Sequence, residues 1–242
     1  MKTERFPPIE ETVEDLKKIL PEEMYESIDK FVKDHEDDPV TAIMHIWTQW
    51  TKVTKPINFA LILDSYYTFK QAGWDIDYVK SELSKFLSNA KKDLNYSDII
   101  KYSVKFIRSV NYCIVRKCTV LNTEDRVTHR GVAAKIYTNI EVGKIFRTTH
   151  YNCTSEELKT PMAFSKWNDD KVAKKTLIHF IIPKGWFNAG KIAGYAWDKY
   201  KYQSETLIPP YTCCKLIKRE GNELWIEVCK DNKNAKFVRV GS

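Results

Sequence analysis

In the first half of the chain, apolar positions recur at helical spacing. Ile76, Val79, Leu83, Phe86, Leu87 and Ala90 fall on one stripe behind Asp75, which predicts an amphipathic helix with Asp75 as its N-cap. A second stripe of Ile99, Ser103, Phe106, Ile107, Val110 and Ile114 advances in steps of three and four behind Ser97. It predicts a long amphipathic helix over 98–117 with Ser97 as its cap. Pro56 reads as the first-turn proline of another helix, running through Phe59-Ala60-Leu61-Ile62-Leu63 to a stop at Gly73.

Near residue 120 the pattern changes to short runs separated by turn chemistry. Strands are expected at 126–132, 175–182, 205–208, 213–218, 224–229 and 237–240, with Glu220-Gly221-Asn222-Glu223 as a hairpin turn. Helices followed by strands, rather than strict alternation, indicate an α+β fold and argue against a doubly wound nucleotide fold. Consistent with that, neither a G-x-G-x-x-G nor a G-x-x-x-x-G-K-[ST] loop is present. The expectation is a single domain over 1–242, with a helical region at 1–119 and a β core at 120–242.

Three segments of the β half carry candidate chemistry. In Tyr202-Gln203-Ser204-Glu205-Thr206-Leu207-Ile208-Pro209-Pro210 the amide and the carboxylate are two positions apart, so on a strand they share a face roughly 7 Å from each other. Leu207 shares that face, while Ser204, Thr206 and Ile208 point the other way, so simple amphipathicity does not explain the order. Two readings stand: an edge strand with a solvated Glu205, stopped by the prolines, or a short acidic-polar site. Arg130 lies inside a strand immediately before Gly131, where a ligand could approach the backbone closely. Its guanidinium suits phosphate or ribose hydroxyls, or else a surface ion pair. Tyr151-Asn152-Cys153-Thr154-Ser155 offers an aromatic ring and a run of small hydroxyl or thiol side chains, as a site or as a plain strand edge. His129 should point to the opposite strand face from Arg130 and reads as structural.

Composition narrows the picture only slightly. Hydrophobic residues make up 43% and charged residues 29% of the 242, ordinary for a globular protein, and the formal charge is +7. That charge favours an anionic partner, but the lysines are scattered among acids without a basic stripe interleaved with aromatics, so nucleic acid is not expected as a partner. No run of ~18 apolar residues suggests a membrane span, and the first residues lack a secretory apolar core. A cytoplasmic location with free thiols is therefore the default, or a secreted one if a leader was removed. The six cysteines, Cys113, Cys118, Cys153, Cys213, Cys214 and Cys229, show no C-x-x-C spacing. No His/Cys/Asp cluster has metal-ligand spacing, and no metal is expected.

An arginine-glycine pair on a strand, an aromatic-x-S-T-S-like strand and an E-x-E-like strand followed by Leu207-Ile208-Pro209-Pro210 appear here in that order. The order resembles the mono-ADP-ribosyltransferases of the R-S-E class, most closely the eukaryotic arginine-type enzymes. The resemblance covers about residues 40–230, because that family also has a helical region leading directly into the arginine strand. It implies a two-sheet β core, NAD as substrate, and a protein acceptor or water. Arg130 would then hold NAD, Gly131 would offer backbone contact to the nicotinamide amide, and Tyr151 would take the aromatic position. Cys153 stands where the family has its first serine, with Thr154 and Ser155 completing the triplet that orients the glutamate. Phe164-Ser165 is a competing serine motif, but Ala163-Phe164 fits the positions that follow the triplet.

By the same resemblance Glu205 is the catalytic glutamate. A fixed carboxylate would stabilise the oxocarbenium character that develops as nicotinamide leaves the ribose. Gln203 stands where arginine-specific members have a second glutamate; it can position an acceptor but cannot act as a base. The resemblance thus implies a mono-ADP-ribosyltransferase, an NAD glycohydrolase, or both. The alternative is a transferase-like fold that has lost catalysis and serves as an NAD- or protein-binding module.

Overall fold

The computed structural model describes residues 6–49, 51–69, 73–90, 92–117, 124–133, 136–166, 168–169, 175–185, 190–191 and 205–229. The expected strand at 237–240, Cys118 and Gln203 lie outside these residues. Among the described residues six α-helices precede the first strand: α1 (Ile9–Lys17), α2 (Tyr25–Asp34), α3 (Pro39–Gln49), α4 (Thr51–Phe69), α5 (Ile76–Asn89) and α6 (Tyr96–Tyr112).

Asp75 caps α5 as expected, its carboxylate accepting from the Tyr78 N–H at 3.2 Å. The cap of α6 is Asn95 rather than Ser97. The Asn95 side-chain oxygen accepts from the N–H groups of Ser97 and Asp98, and the Asp98 carboxylate accepts in return from the Asn95 N–H. This reciprocal box satisfies donors at both ends of the first turn and leaves Ser97 inside the helix. Pro56 also differs from expectation. It lies inside α4, which begins at Thr51, so the carbonyl of residue 52 lacks the helical N–H that an ordinary residue would have supplied.

The buried faces of these helices form one apolar core that includes Leu16, Ile43, Trp47, Leu61, Phe106 and Ile107. Tyr151 and Leu207 enter the same core from the β half. No described helix is long and apolar enough to cross a membrane.

The strands are β1 (Arg126–Val132), β2 (Ile145–Arg147), β3 (Asn152–Ser155), β4 (Thr176–Ile182), β5 (Gly190–Lys191), β6 (Glu205–Ile208), β7 (Cys213–Glu220) and β8 (Glu223–Val228), with a short helix α7 (Lys159–Phe164) after β3. They form a ladder ordered β2-β7-β8-β4-β1-β3-β6-β5. Most neighbours are antiparallel; β4 and β8 run parallel. The turn between β7 and β8 falls at Gly221, whose φ of +56° suits the glycine expected there.

The fold is α+β, a helical region followed by a mixed sheet. Its expected two-sheet character takes the form of two halves of one ladder. β1 and β4 pair over their full length, from Arg126↔Ile182 to Val132↔Thr176, whereas β1 meets β3 through the single pair His129↔Ser155. A second apolar core, with Ile178, Phe180, Ile182, Leu216, Ile226 and Val228, lies on the longer half.

The solvated-edge reading of 205–208 does not hold. β6 is flanked by β3 and β5, and Thr206, Leu207 and Ile208 are fully buried. Leu207 packs into the helical core and Ile208 into the sheet core, which is why the strand lacks a polar face. Pro209 ends it as expected.

Candidate active site

Where β1 and β3 part, the strand edges and the helices enclose a cleft of about 450 Å³. Arg130, Gly131, Cys153, Thr154, Ser155 and Glu205 all line it. The structure therefore brings together every described residue expected at the site except Tyr151.

Glu205 is the only carboxylate among the described lining residues. In register it lies opposite Ser155 and two pairs along from Cys153, which faces Leu207. Burial raises its pKa above the ordinary glutamate value, and the nearby Cys153 thiol and Arg130 charge pull it partly back. Burial also pushes the Cys153 thiol well up, helped by the negative charge of Glu205 and opposed by Arg130. Cys153 thus stays protonated, a weak donor beside the carboxylate rather than a nucleophile.

The other two members of the triplet are used differently. The Ser155 hydroxyl accepts from the Glu157 N–H at 3.0 Å and keeps its own proton available. Thr154, expected as a second support for Glu205, donates its hydroxyl to the Thr206 carbonyl at 2.7 Å. That contact binds β3 to β6 and removes Thr154 from the glutamate's support. The competing Ser165 sits at the end of α7, not on a strand, and donates to the Met162 carbonyl.

Arg130 donates from Nη1 to the Tyr151 carbonyl at 3.0 Å, and its buried Nε has no partner. Burial lowers its pKa, while Cys153, Tyr137 and Glu205 act in the other direction; an arginine remains cationic in any case. Gly131 was expected to make room for a ligand. What needs the space is α7: a Cβ at Gly131 would lie 1.7 Å from the Pro161 carbonyl oxygen. The glycine seats α7 on β1 and thereby places Phe164, 59% exposed, at the cleft.

Tyr151 requires a correction. Its ring is fully buried in the helical core against Trp47, and its hydroxyl lies 2.6 Å from Asn111 Oδ1. The side chain does not line the cleft, because the turn into β3 aims it at α6. Its contribution is the backbone carbonyl that holds Arg130, while its N–H donates to Asn58 Oδ1 at 3.0 Å.

Sequence reasoning missed Trp47, Trp74 and His150, which line the cleft with Arg130. Trp47 Nε1, Trp74 Nε1, His150 Nε2 and Arg130 Nε are all buried without a partner. Burial, with the Arg130 charge beside it, holds the His150 pKa well below the ordinary value, so the ring is neutral. Both indoles and the guanidinium are donors only, and buried donors of this kind call for oxygen acceptors. No local pattern marks these residues, which meet only through the packing of α3, the segment before α5 and the turn before β3. Among the described residues no group of three or more His, Cys, Asp or Glu could hold a metal ion.

No protein-family model matches the sequence. Nor does any curated protein match it. Solved structures do. Plx2a, an ADP-ribosyltransferase toxin from Paenibacillus larvae, aligns over 85% of this chain and 96% of its own at 15% identity and a TM-score of 0.49. Exoenzyme S from Pseudomonas aeruginosa, solved bound to carba-NAD, aligns over 89% and 88% at 12% identity and a TM-score of 0.49. The ADP-ribosyltransferase HopU1 of Pseudomonas syringae aligns over 94% of this chain and 100% of its own at 9% identity and a TM-score of 0.53. This last likeness extends over the helical region and the sheet together, and the chain has the ADP-ribosyltransferase fold.

Proposed function

We propose that the cleft binds NAD, cleaves the bond between nicotinamide and ribose, and delivers ADP-ribose to a protein acceptor or to water. The observation that carries this reading is the convergence of Arg130, Cys153 and Glu205 on one cleft whose only described carboxylate is Glu205. Their order along the chain is the R-S-E order, and the fold is shared with an ADP-ribosyltransferase.

Glu205, ionised, faces the ribose and stabilises positive charge as nicotinamide departs. Cys153 and Ser155 hold that carboxylate from β3. Arg130 binds the dinucleotide's phosphates, and the unpaired nitrogens of Trp47, Trp74 and His150 give the ligand's oxygens further partners. Gly131, by seating α7, sets the wall that carries Phe164. Gln203 orients the acceptor without removing a proton from it, which favours water or a hydroxyl over arginine.

The test is nicotinamide release from labelled NAD by the purified chain, compared with Glu205→Gln. Loss of release by about 10²–10³-fold is expected; equal release from both proteins would sink the assignment. Calorimetry with NAD separates the remaining outcome, since tight binding without turnover would make the protein a binding module instead.

A further inference from the structure

One row of residues crosses the sheet from the cleft outward. Ser155 pairs with Glu205 on one side and with His129 on the other; His129 pairs with His179, and His179 with Trp225. Two strand spacings therefore separate the backbones of Glu205 and His129, roughly 10 Å, and both residues line the cleft.

Along this row the imidazoles are hydrogen-bonded in series. His129 Nδ1 lies 2.9 Å from His179 Nδ1, and His179 Nε2 lies 3.0 Å from a Glu223 carboxylate oxygen. Trp225 stacks on the His179 ring at 4.7 Å between centroids, and the Lys218 ammonium sits 4.6 Å over the Trp225 ring. The chemistry of these groups fixes the proton positions. An ionised carboxylate only accepts, so a His179 ring carrying one proton keeps it on Nε2 and presents a bare Nδ1. His129 must then donate from Nδ1, which leaves its Nε2 as a lone pair. Among the described residues nothing bonds that nitrogen.

We propose that His129 Nε2 is the general base that activates an oxygen nucleophile, water or a hydroxyl, in the cleft, with His179 and Glu223 as positioning residues. This rests on the NAD-cleaving reading above and adds the proton acceptor that Gln203 cannot provide. In the step, a lone pair on the nucleophile's oxygen forms the bond to the ribose carbon while the bond to nicotinamide breaks. The electron pair of that bond leaves with nicotinamide, neutralising its ring. The proton on the nucleophile passes to His129 Nε2, and the resulting imidazolium is held by His179 and Glu223 until solvent takes the proton. Burial lowers the His129 pKa, which keeps the ring unprotonated at neutral pH. An imidazole is far too weak a base for a guanidinium, so the acceptor class is oxygen rather than arginine nitrogen.

The test measures nicotinamide release with water as acceptor and again with azide, an anion that needs no base, for wild type, His129→Ala and Glu223→Gln, with the dissociation constant for NAD alongside. His129→Ala should lose about 10²-fold or more of the water reaction, retain the azide reaction and NAD affinity, and recover partly with added imidazole. Glu223→Gln can donate to His179 Nε2 and so permits the wrong tautomer; it should fall between wild type and His129→Ala. Because Glu223 is partly exposed, this second variant decides the matter even if His129→Ala does not fold. Equal water reaction in wild type and both variants would overturn the proposal, as would parallel loss of the water and azide reactions. Failure of the wild type to release nicotinamide at all would instead refute the NAD-cleaving reading.

Discussion

From β1 outward through β4, β8 and β7 the strands pair along most of their length, and the side chains between them are Ile178, Phe180, Leu224 and Ile226. From β1 inward the ladder narrows to His129↔Ser155, and the residues beyond it include buried Asn152, Thr154 and Thr206 together with Cys153 and Glu205. One half is held by apolar burial and continuous backbone pairing. The other is a seam where unpaired nitrogens and a half-buried carboxylate persist because helices, not neighbouring strands, cover them. Groups that burial penalises are concentrated where the sheet is thinnest, and a ligand could enter there without breaking a ladder. The contrast predicts that substitutions among the apolar side chains of the long half change stability and those at the seam change chemistry.

The largest effect should come from the long half. Ile226→Ala removes a fully buried side chain and should cost about 2–5 kcal/mol, read as a lower midpoint in urea, with nicotinamide release per folded molecule unchanged. A comparable loss of turnover in folded protein would mean that the halves are not separable. Gly131→Ala lies on the border between them. Its Cβ would meet the Pro161 carbonyl, and the overlap should cost about 1–3 kcal/mol. Displacement of α7 should also raise the KM for NAD, so here stability and binding should fall together.

Tyr151→Phe tests the attachment of the seam to the helices. It leaves Asn111 Oδ1 without its 2.6 Å partner and should cost about 1 kcal/mol, with the Arg130 contact to the Tyr151 carbonyl intact. Unchanged NAD affinity in this variant would support the finding that the ring serves the core. A specific loss of affinity would return Tyr151 to the cleft.

The same contrast explains what the sequence disclosed. Local rules act within a few residues: Asp75 caps α5, Gly221 turns β7 into β8, and Pro209 ends β6. Even Asn95 was legible, because Asn95 and Asp98 have the spacing of a capping box, and Ser97 drew attention only as an equally good cap type. The ordered motifs singled out Arg130, Cys153 and Glu205, which line one cleft, because such motifs travel with their strands. Tyr151 was misread because alternation along a strand gives no sign of which face a helix will cover. Trp47, Trp74 and His150 could not be found by any such rule: they lie far apart in sequence, and only tertiary packing brings their nitrogens to one cleft. His129 and His179 likewise become partners only through strand register.

The smallest effect concerns Glu205 itself, where stability and chemistry pull in opposite directions. Burial raises its folded-state pKa above the ordinary glutamate value, net of Arg130 and Cys153. A carboxyl with a raised folded pKa stabilises the fold fully at pH below its unfolded value, and that contribution is lost as pH rises through the folded value. At neutral pH the ionised group is therefore a burden, and Glu205→Gln, which cannot ionise, should show a slightly higher Tm than wild type. The difference should close as pH falls below the unfolded glutamate value of about 4.3. Turnover has the reverse dependence, because only the carboxylate can stabilise an oxocarbenium ion: release of nicotinamide by wild type should fall on the acid side with a midpoint above that of an ordinary glutamate. A Tm for Glu205→Gln below wild type at neutral pH, with the gap widening as pH rises, would show that ionised Glu205 supports the seam, and the division between a stabilising half and a chemical half would then fail at its central residue.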